Sequence, residues 1–448
     1  MVLLGLAVPA SAVPAGAEVK LDRSVGPPTS RVSVQGRGFG GSETIDVLFD
    51  GAGLKYAVTG PGGTFLTRMT IPASALPGPH TIRATGETSG LSARAPFTVR
   101  TDWPKFHFDD ANSGFNPHEN VLNTSNVAGL VEKWSLSTYS PVLGAPAVVG
   151  GVLYVGSENQ SAYAINAATG KVAWRVHVGP ISSAPAVANG MVYVASYGPV
   201  VALDASTGAT VWTFSTYRGG FLSSPAVANG VVFVASHTTA IVYALDASTG
   251  AELWSFQSSN RVDASPAVVG GVVYICTYGD GLLALDASTG TKLWSSTAGE
   301  SGSPAVANGV VYVGSFEGVL SALDAGTGTV LWTSQTGGGI YGSAAVAEGA
   351  VYVGSADGSV SAFDAATGTQ LWSFGTGGEI EYSPAVANGV VYLMSMDNNL
   401  YALDAASGAE LWSFPVESWF DSDPSPVVVN GMLYVGSYDW NVYAFGLP

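Results

Sequence analysis

The sequence predicts an all-β protein, an eight-bladed β-propeller of four-stranded antiparallel blades preceded by a smaller β-sandwich domain. Three observations lead there. The stretch Ala284-Leu-Asp-Ala-Ser-Thr-Gly-Thr-Lys-Leu-Trp294 recurs along the chain, and from Trp174 through Trp212, Trp254, Trp294, Trp332 and Trp372 to Trp412 the spacings are 38, 42, 40, 38, 40 and 40 residues. A fixed period of this size belongs to arrays and propellers. Within each period an Asn-Gly or equivalent pair separates two apolar runs, which is the strongest short hairpin signal. Composition agrees: 58 glycines, 11% charged residues and 47% hydrophobic residues suit short strands joined by tight turns.

Taken in order, Val2–Ala12 reads as the apolar core of a secretory signal ending in a small-residue cleavage site, so residues 1–18 are expected to be a signal remnant and the protein secreted. Residues 19–100 form the small β domain: Arg31–Gln35 and Thr44–Phe49 alternate polar and apolar as half-buried strands do, and Gly/Pro/Ser clusters separate them from later runs. Gly36-Arg-Gly-Phe-Gly-Gly41 spells the dinucleotide fingerprint, but a strand follows it, so no helix N-terminus awaits a pyrophosphate; a hairpin turn or bulge is expected. Residues 101–130 are a linker rich in Asn, Asp and Gly, expected to pack on the next domain.

From 131 to 448 the repeat takes over. In one copy its four runs are Ser303–Ala307, Val310–Gly314, Leu320–Asp324 and Val330–Trp332. In the Asp-Ala-x-Thr-Gly turn, Asp and Thr can bond backbone N–H groups while Gly takes positive φ. The following Trp is expected to wedge into the neighbouring blade with its N–H on a carbonyl of the adjacent turn. The last copy has only three strands and lacks the turn and Trp, whereas Val131-Glu-Lys-Trp134 is a Trp strand without a blade. Strand 131–137 is therefore expected to complete the eighth blade and abolish the open edge.

Two resemblances sharpen this reading. Val32–Phe39 with Ile45–Asp50 resembles bacterial immunoglobulin-like modules of the IPT/TIG kind, which implies a spacer or adhesion unit. Ser-Pro-Ala-Val, Val-Tyr-Val-Gly-Ser, Ala-Leu-Asp-Ala-x-Thr-Gly and Leu-Trp together resemble the PQQ-enzyme repeat with its tryptophan-docking motif, over roughly residues 102–448. That family includes quinoprotein alcohol and glucose dehydrogenases and the BamB-type scaffold. The resemblance implies docking roles for Trp134, Trp174, Trp212, Trp254, Trp294, Trp332, Trp372 and Trp412; function has to come from the site.

The hairpins on one face of the ring are nearly identical between copies, and the loops on the other face vary, so the variable loops are the candidate face. Tyr341, Tyr382, Trp419, Tyr438 and Trp440 are candidate partner contacts. Glu379, Glu381, Asp397, Asp421, Asp423 and Asp439 are candidate Ca²⁺ ligands, since that ion takes six to eight oxygens; surface charge is the plainer reading. A quinone cofactor with several carboxylates would need fixed cations, and Arg218 and Arg261 are the candidates. The single Cys276 forbids the adjacent cysteine pair of the dehydrogenases and is read as a small buried hydrophobe. The formal charge of −17, with no Lys or Arg beyond Lys292, speaks against nucleic acid as a partner. No run is long enough for a membrane span. The expected protein is a secreted or cell-surface monomer, a non-enzymatic binding scaffold without a cofactor whose partner is a protein or cell-surface glycan. The rival is a PQQ-dependent dehydrogenase of alcohols or sugars using Ca²⁺; a glycan-binding or glycan-active protein comes third.

Overall fold

Strand alternation in the sequence returns as alternating burial in the computed structural model, which describes residues 16–216, 220–416 and 424–448. The chain divides into two compact units, Met1–Thr101 and Asp102–Pro448.

In the first unit, Glu18–Leu21, Arg31–Arg37 and Phe65–Thr70 make a three-stranded sheet. A five-stranded sheet runs in the order Val25–Gly26, Ser92–Val99, Gly78–Gly86, Thr44–Phe49, Ala52–Val58. Val32 and Val34 of the first sheet share one core with Ile45, Val47, Ile82 and Phe97 of the second, so the unit is a two-sheet sandwich. The glycine-rich stretch serves packing and turn geometry. Gly36 sits in a strand where a Cβ would collide with the Phe65 ring, and Gly38 turns at φ 74°.

In the second unit the described residues form eight antiparallel meanders of four strands. Their first strands begin at Ala147, Ala186, Ala226, Ala267, Ser301, Ala345, Ala385 and Val427. The eighth takes Val131–Ser137 from the front of the unit, paired antiparallel with Asn441–Gly446. Every first hairpin turns through two residues of positive φ, as at Asn308 (50°) and Gly309 (79°), which is what a type I′ turn requires. An apolar core lies between each pair of consecutive sheets, the last and first included, where Val148 and Leu153 meet Val427 and Tyr434.

The junctions between sheets repeat one arrangement. Asp204 Oδ1 accepts bonds from Ser206 Oγ, Thr207 Oγ1, Thr207 N and Ser206 N and so shapes the turn; these bonds, that of the Ser206 hydroxyl first, hold its pKa down to about 2. The next carbonyl, Ala205 O, receives Nε1 of Trp174 from the preceding sheet at 3.0 Å and the hydroxyl of Tyr154 at 3.2 Å. Trp134, Trp212, Trp254, Trp294, Trp332 and Trp372 donate in the same way to Ala167, Ala247, Ala287, Ala325, Ala365 and Ala405, at 2.9–3.1 Å. The turn glycine lies against the indole. At Gly250, with φ 73°, a Cβ would stand 2.6 Å from the Trp212 ring, so two constraints exclude a side chain there.

Trp412 is the exception, because the eighth sheet has no such turn. It packs edge-on against Phe445 at 5.3 Å, and the space is filled by Leu122, Val127 and Leu130 from the lead-in segment. Buried Glu119 accepts bonds from the N–H groups of Val121, Leu122 and Gly431. Tyr392, buried at the same seam, has no hydrogen-bond partner for its hydroxyl among the described residues.

The lead-in segment also runs along the inner strands of the ring. Trp103 exchanges two 2.7 Å backbone bonds with Val148. The carbonyls of Pro104, Asp110, Ala111, Ser113 and Gly114 then accept the N–H groups of Val187, Val268, Val306, Val346 and Val386, and Asn116 Nδ2 reaches Val428 O. Seven of the eight inner strands thus bond to one stretch of chain that occupies the centre.

Candidate functional site

The loops on the face opposite the repeated hairpins open on a cavity of about 720 Å³ at the mouth of the ring. Its lining begins with Phe106, which packs between Ala145 and Ala184. Around it the residue at the equivalent position, before the inner-strand proline or before Ala344, is otherwise serine, and these serines link neighbouring sheets. Ala184 N donates to Ser224 Oγ, Ser224 N to Ser265 Oγ, Ser265 N to Ser303 Oγ, Ser303 N to Ser343 Oγ and Ser343 N to Ser383 Oγ, at 2.8–3.0 Å. The second to seventh inner strands are thus stitched through backbone N–H groups, and the base of the mouth is the protein's own chain.

Above the serines the wall is aromatic and charged. The Arg261 guanidinium lies over the Tyr278 ring, 4.0 Å from its centroid. Tyr278 touches Phe316 at 5.2 Å between centroids, and Phe316 touches Tyr341 at 5.6 Å. Arg261 Nε stands 3.5 Å from Asp263 Oδ2, and His237 Nδ1 bonds the other oxygen of the same carboxylate. Burial pushes the Tyr278 hydroxyl pKa upward, and the Asp263 charge adds to it. Glu300 and Glu381 contribute two further carboxylates to the lining. The described lining thus sets one permanent cation, Arg261, itself engaged with Asp263, against three carboxylates.

The candidates named from the sequence separate. Arg261 and Tyr341 line the cavity, as does Glu381. Tyr382 does not face a partner: it is fully buried, packed in the core between the seventh and eighth sheets. Tyr438 is half-buried, while Trp440 is 51% exposed at φ 76°. Arg218, Trp419, Asp421 and Asp423 lie outside the described residues.

The acidic candidates that are described do not assemble. Asp397 is spent on its own hairpin and the adjoining loop, accepting from Tyr401 Oη at 2.6 Å, Gly377 N at 2.8 Å and Asn399 N at 3.0 Å. Asp439 does the same with Tyr443 and Asn441. Burial first, and then the bond to the carboxylate, raise both tyrosine pKa values. Glu379 is half-buried. No group of three His, Cys, Asp or Glu side chains is placed to hold a metal among the described residues. Cys276 is buried, and burial alone drives its thiol pKa upward, so it stays a protonated, small apolar side chain.

Sequence reasoning missed the serine ring, Phe106 and the buried pair Lys105 and His107. The signal was present in part: the position before the inner-strand proline is Ser in most copies and Ala at 145 and 184, where Phe106 seats. Only ring closure shows what that substitution is for.

Among solved structures, the chain is similar to BamB from Moraxella catarrhalis at 21% identity, covering 71% of this chain and 99% of that one with a TM-score of 0.62. It is similar to the quinohemoprotein alcohol dehydrogenase from Comamonas testosteroni at 18% identity, covering 77% and 80% with a TM-score of 0.67. A europium-containing methanol dehydrogenase aligns at 16% identity, covering 77% and 98%, also at 0.67. At these identities the likeness shows the fold alone, a PQQ-like β-propeller. No match is found among curated proteins. No helix is long and apolar enough to cross a membrane among the described residues. A family model described as outer membrane protein assembly factor BamB matches residues 126–201, 196–302, 284–381 and 356–446, and the chain belongs to that family.

Proposed function

We propose that the protein is an extracytoplasmic, non-enzymatic binding scaffold that presents the variable loop face of one closed, eight-bladed ring to a protein or cell-surface glycan. The sandwich unit is read as an immunoglobulin-like spacer ahead of it. One observation carries the proposal: the mouth is already occupied at its base by the lead-in segment, and Arg261, the one Lys or Arg of its described lining, is committed to Asp263. A tricarboxylate quinone needs fixed, uncompensated cations, and a lining richer in carboxylates than in cations repels it. The description of the family as an assembly factor accords with a scaffold.

Calorimetric titration of the full chain with PQQ, with and without Ca²⁺, tests this. No binding heat in either condition is expected. Tight, Ca²⁺-dependent binding would overturn the scaffold and turn attention to oxidation of alcohols or sugars.

A further inference from the structure

The charge of this chain is unevenly divided. Residues 102–448 hold 7 Lys and Arg against 27 Asp and Glu, a net charge of −20, whereas residues 1–101 hold 9 against 6, a net charge of +3. The ring therefore generates a long-range field that draws cationic partners toward it and repels anionic ones.

The mouth adds a local preference of the same sign. The face of Tyr278 already holds a guanidinium, that of Arg261 at 4.0 Å, so this wall demonstrably accepts a planar cation. The wall continues past that occupied face: Phe316 packs on Tyr278, and Tyr341, 39% exposed, packs on Phe316. Asp263 is engaged by Arg261 and His237, and Glu300 brings a further carboxylate into the same 720 Å³ space. A base made of the protein's own chain, an aromatic wall and the Glu300 carboxylate form a receptor for a cation on an apolar stem.

We propose that the mouth binds a basic segment of a polypeptide, a Lys or Arg side chain of the partner entering against Phe316 and Tyr341 with its charge toward Glu300. This rests on the scaffold reading and names the partner's chemistry. A neutral glycan would use the aromatic rings but would gain nothing from the surplus carboxylate or the −20 field.

The test is calorimetric titration of the full chain with a short arginine- and lysine-rich peptide, an acidic peptide of equal length and a neutral hexasaccharide, at two salt concentrations. The basic peptide is expected to bind and to weaken at higher salt, with the other two inert. Tyr341→Ala and Glu300→Gln are each expected to weaken it about tenfold, the effect of losing one cation–π or charge-assisted contact. Glu132→Gln, on the exposed outer strand, is expected to leave it unchanged. Equal loss in Glu132→Gln would reduce the binding to generic charge attraction and sink the proposal. Hexasaccharide binding sensitive to Tyr341→Ala but not to Glu300→Gln would replace the basic peptide with a glycan and leave the scaffold standing. Silence from all three probes would overturn the basic-segment proposal and leave the scaffold to the PQQ titration. PQQ binding, by contrast, would overturn the scaffold itself.

Discussion

Seven junctions of the ring are made by the repeat and one is not. At a repeated junction an indole, a glycine turn and a carbonyl interlock, and every part lies within the motif that recurs along the chain. At the seam between the seventh and eighth sheets the motif has run out: Trp412 and Tyr392 arrive with no turn to meet them. The lead-in segment supplies Leu122, Val127, Leu130 and Glu119 instead. A repeat can thus specify its own internal contacts many times over, but closing a ring on itself takes sequence from outside the repeat.

The largest effect should separate the two kinds of junction directly. Trp212→Ala removes a buried indole and its bond to Ala247 and is expected to cost about 3–5 kcal/mol in denaturant unfolding. Trp412→Ala removes a half-buried ring that meets no turn carbonyl among the described residues, and its cost should be lower by about 1 kcal/mol or more. Equal costs would mean that the seam docks its tryptophan as strongly as the repeat does.

The central segment should make stability depend on acid. His107 is 2% exposed, and burial holds its pKa down to about 4 from 6.5, with Lys105 adding to the depression. Because the folded pKa lies below the unfolded one, the folded state favours the neutral ring. Stability is full above about pH 6.5, falls as pH drops toward 4 and is level below it. The difference amounts to about 3 kcal/mol at about 1.4 kcal/mol per unit. Denaturant midpoints measured between pH 7.5 and 4.5 should show a slope that His107→Gln flattens, and an unchanged slope would remove His107 from the account.

The smallest effect should differ in sign. Tyr193→Phe loses the bond to Ala247 O at a repeated junction and should cost about 1 kcal/mol. Tyr392→Phe removes a buried hydroxyl that lacks a partner at the seam and should be neutral or stabilising by about 1 kcal/mol. Thermal or chemical unfolding of both variants reads this, and a loss at Tyr392 would show that its hydroxyl is satisfied.

Much of the ring was legible before any coordinates because each signal was local and repeated. Asn308-Gly309 announces a type I′ turn by its own φ preferences, and the Asp204 turn closes through bonds spanning only a few residues. The mouth was legible only in fragments. Arg261 and Tyr341 stood out as departures from the repeat, but nothing in their spacing says that Tyr278 and Phe316 join them into one wall. Tyr382 was misread for the same reason: a variable position in a loop looks exposed, and here the seventh and eighth sheets close over it.

The sequence alone therefore determined the strands, the hairpins, seven of the eight docking tryptophans and the need for a strand from the front to finish the last sheet. Each of these follows from short-range geometry or from counting copies. Tertiary structure alone decided that residues 103–116 fill the centre, that Phe106 seats where serine gives way to alanine, and that Asp397 and Asp439 are consumed by neighbouring tyrosines. It also decided that Arg261 faces Asp263 and Tyr278. These depend on distances between parts of the chain brought together when the ring closes, and a repeat makes its copies nearly equivalent in sequence while leaving each with a different neighbour in space.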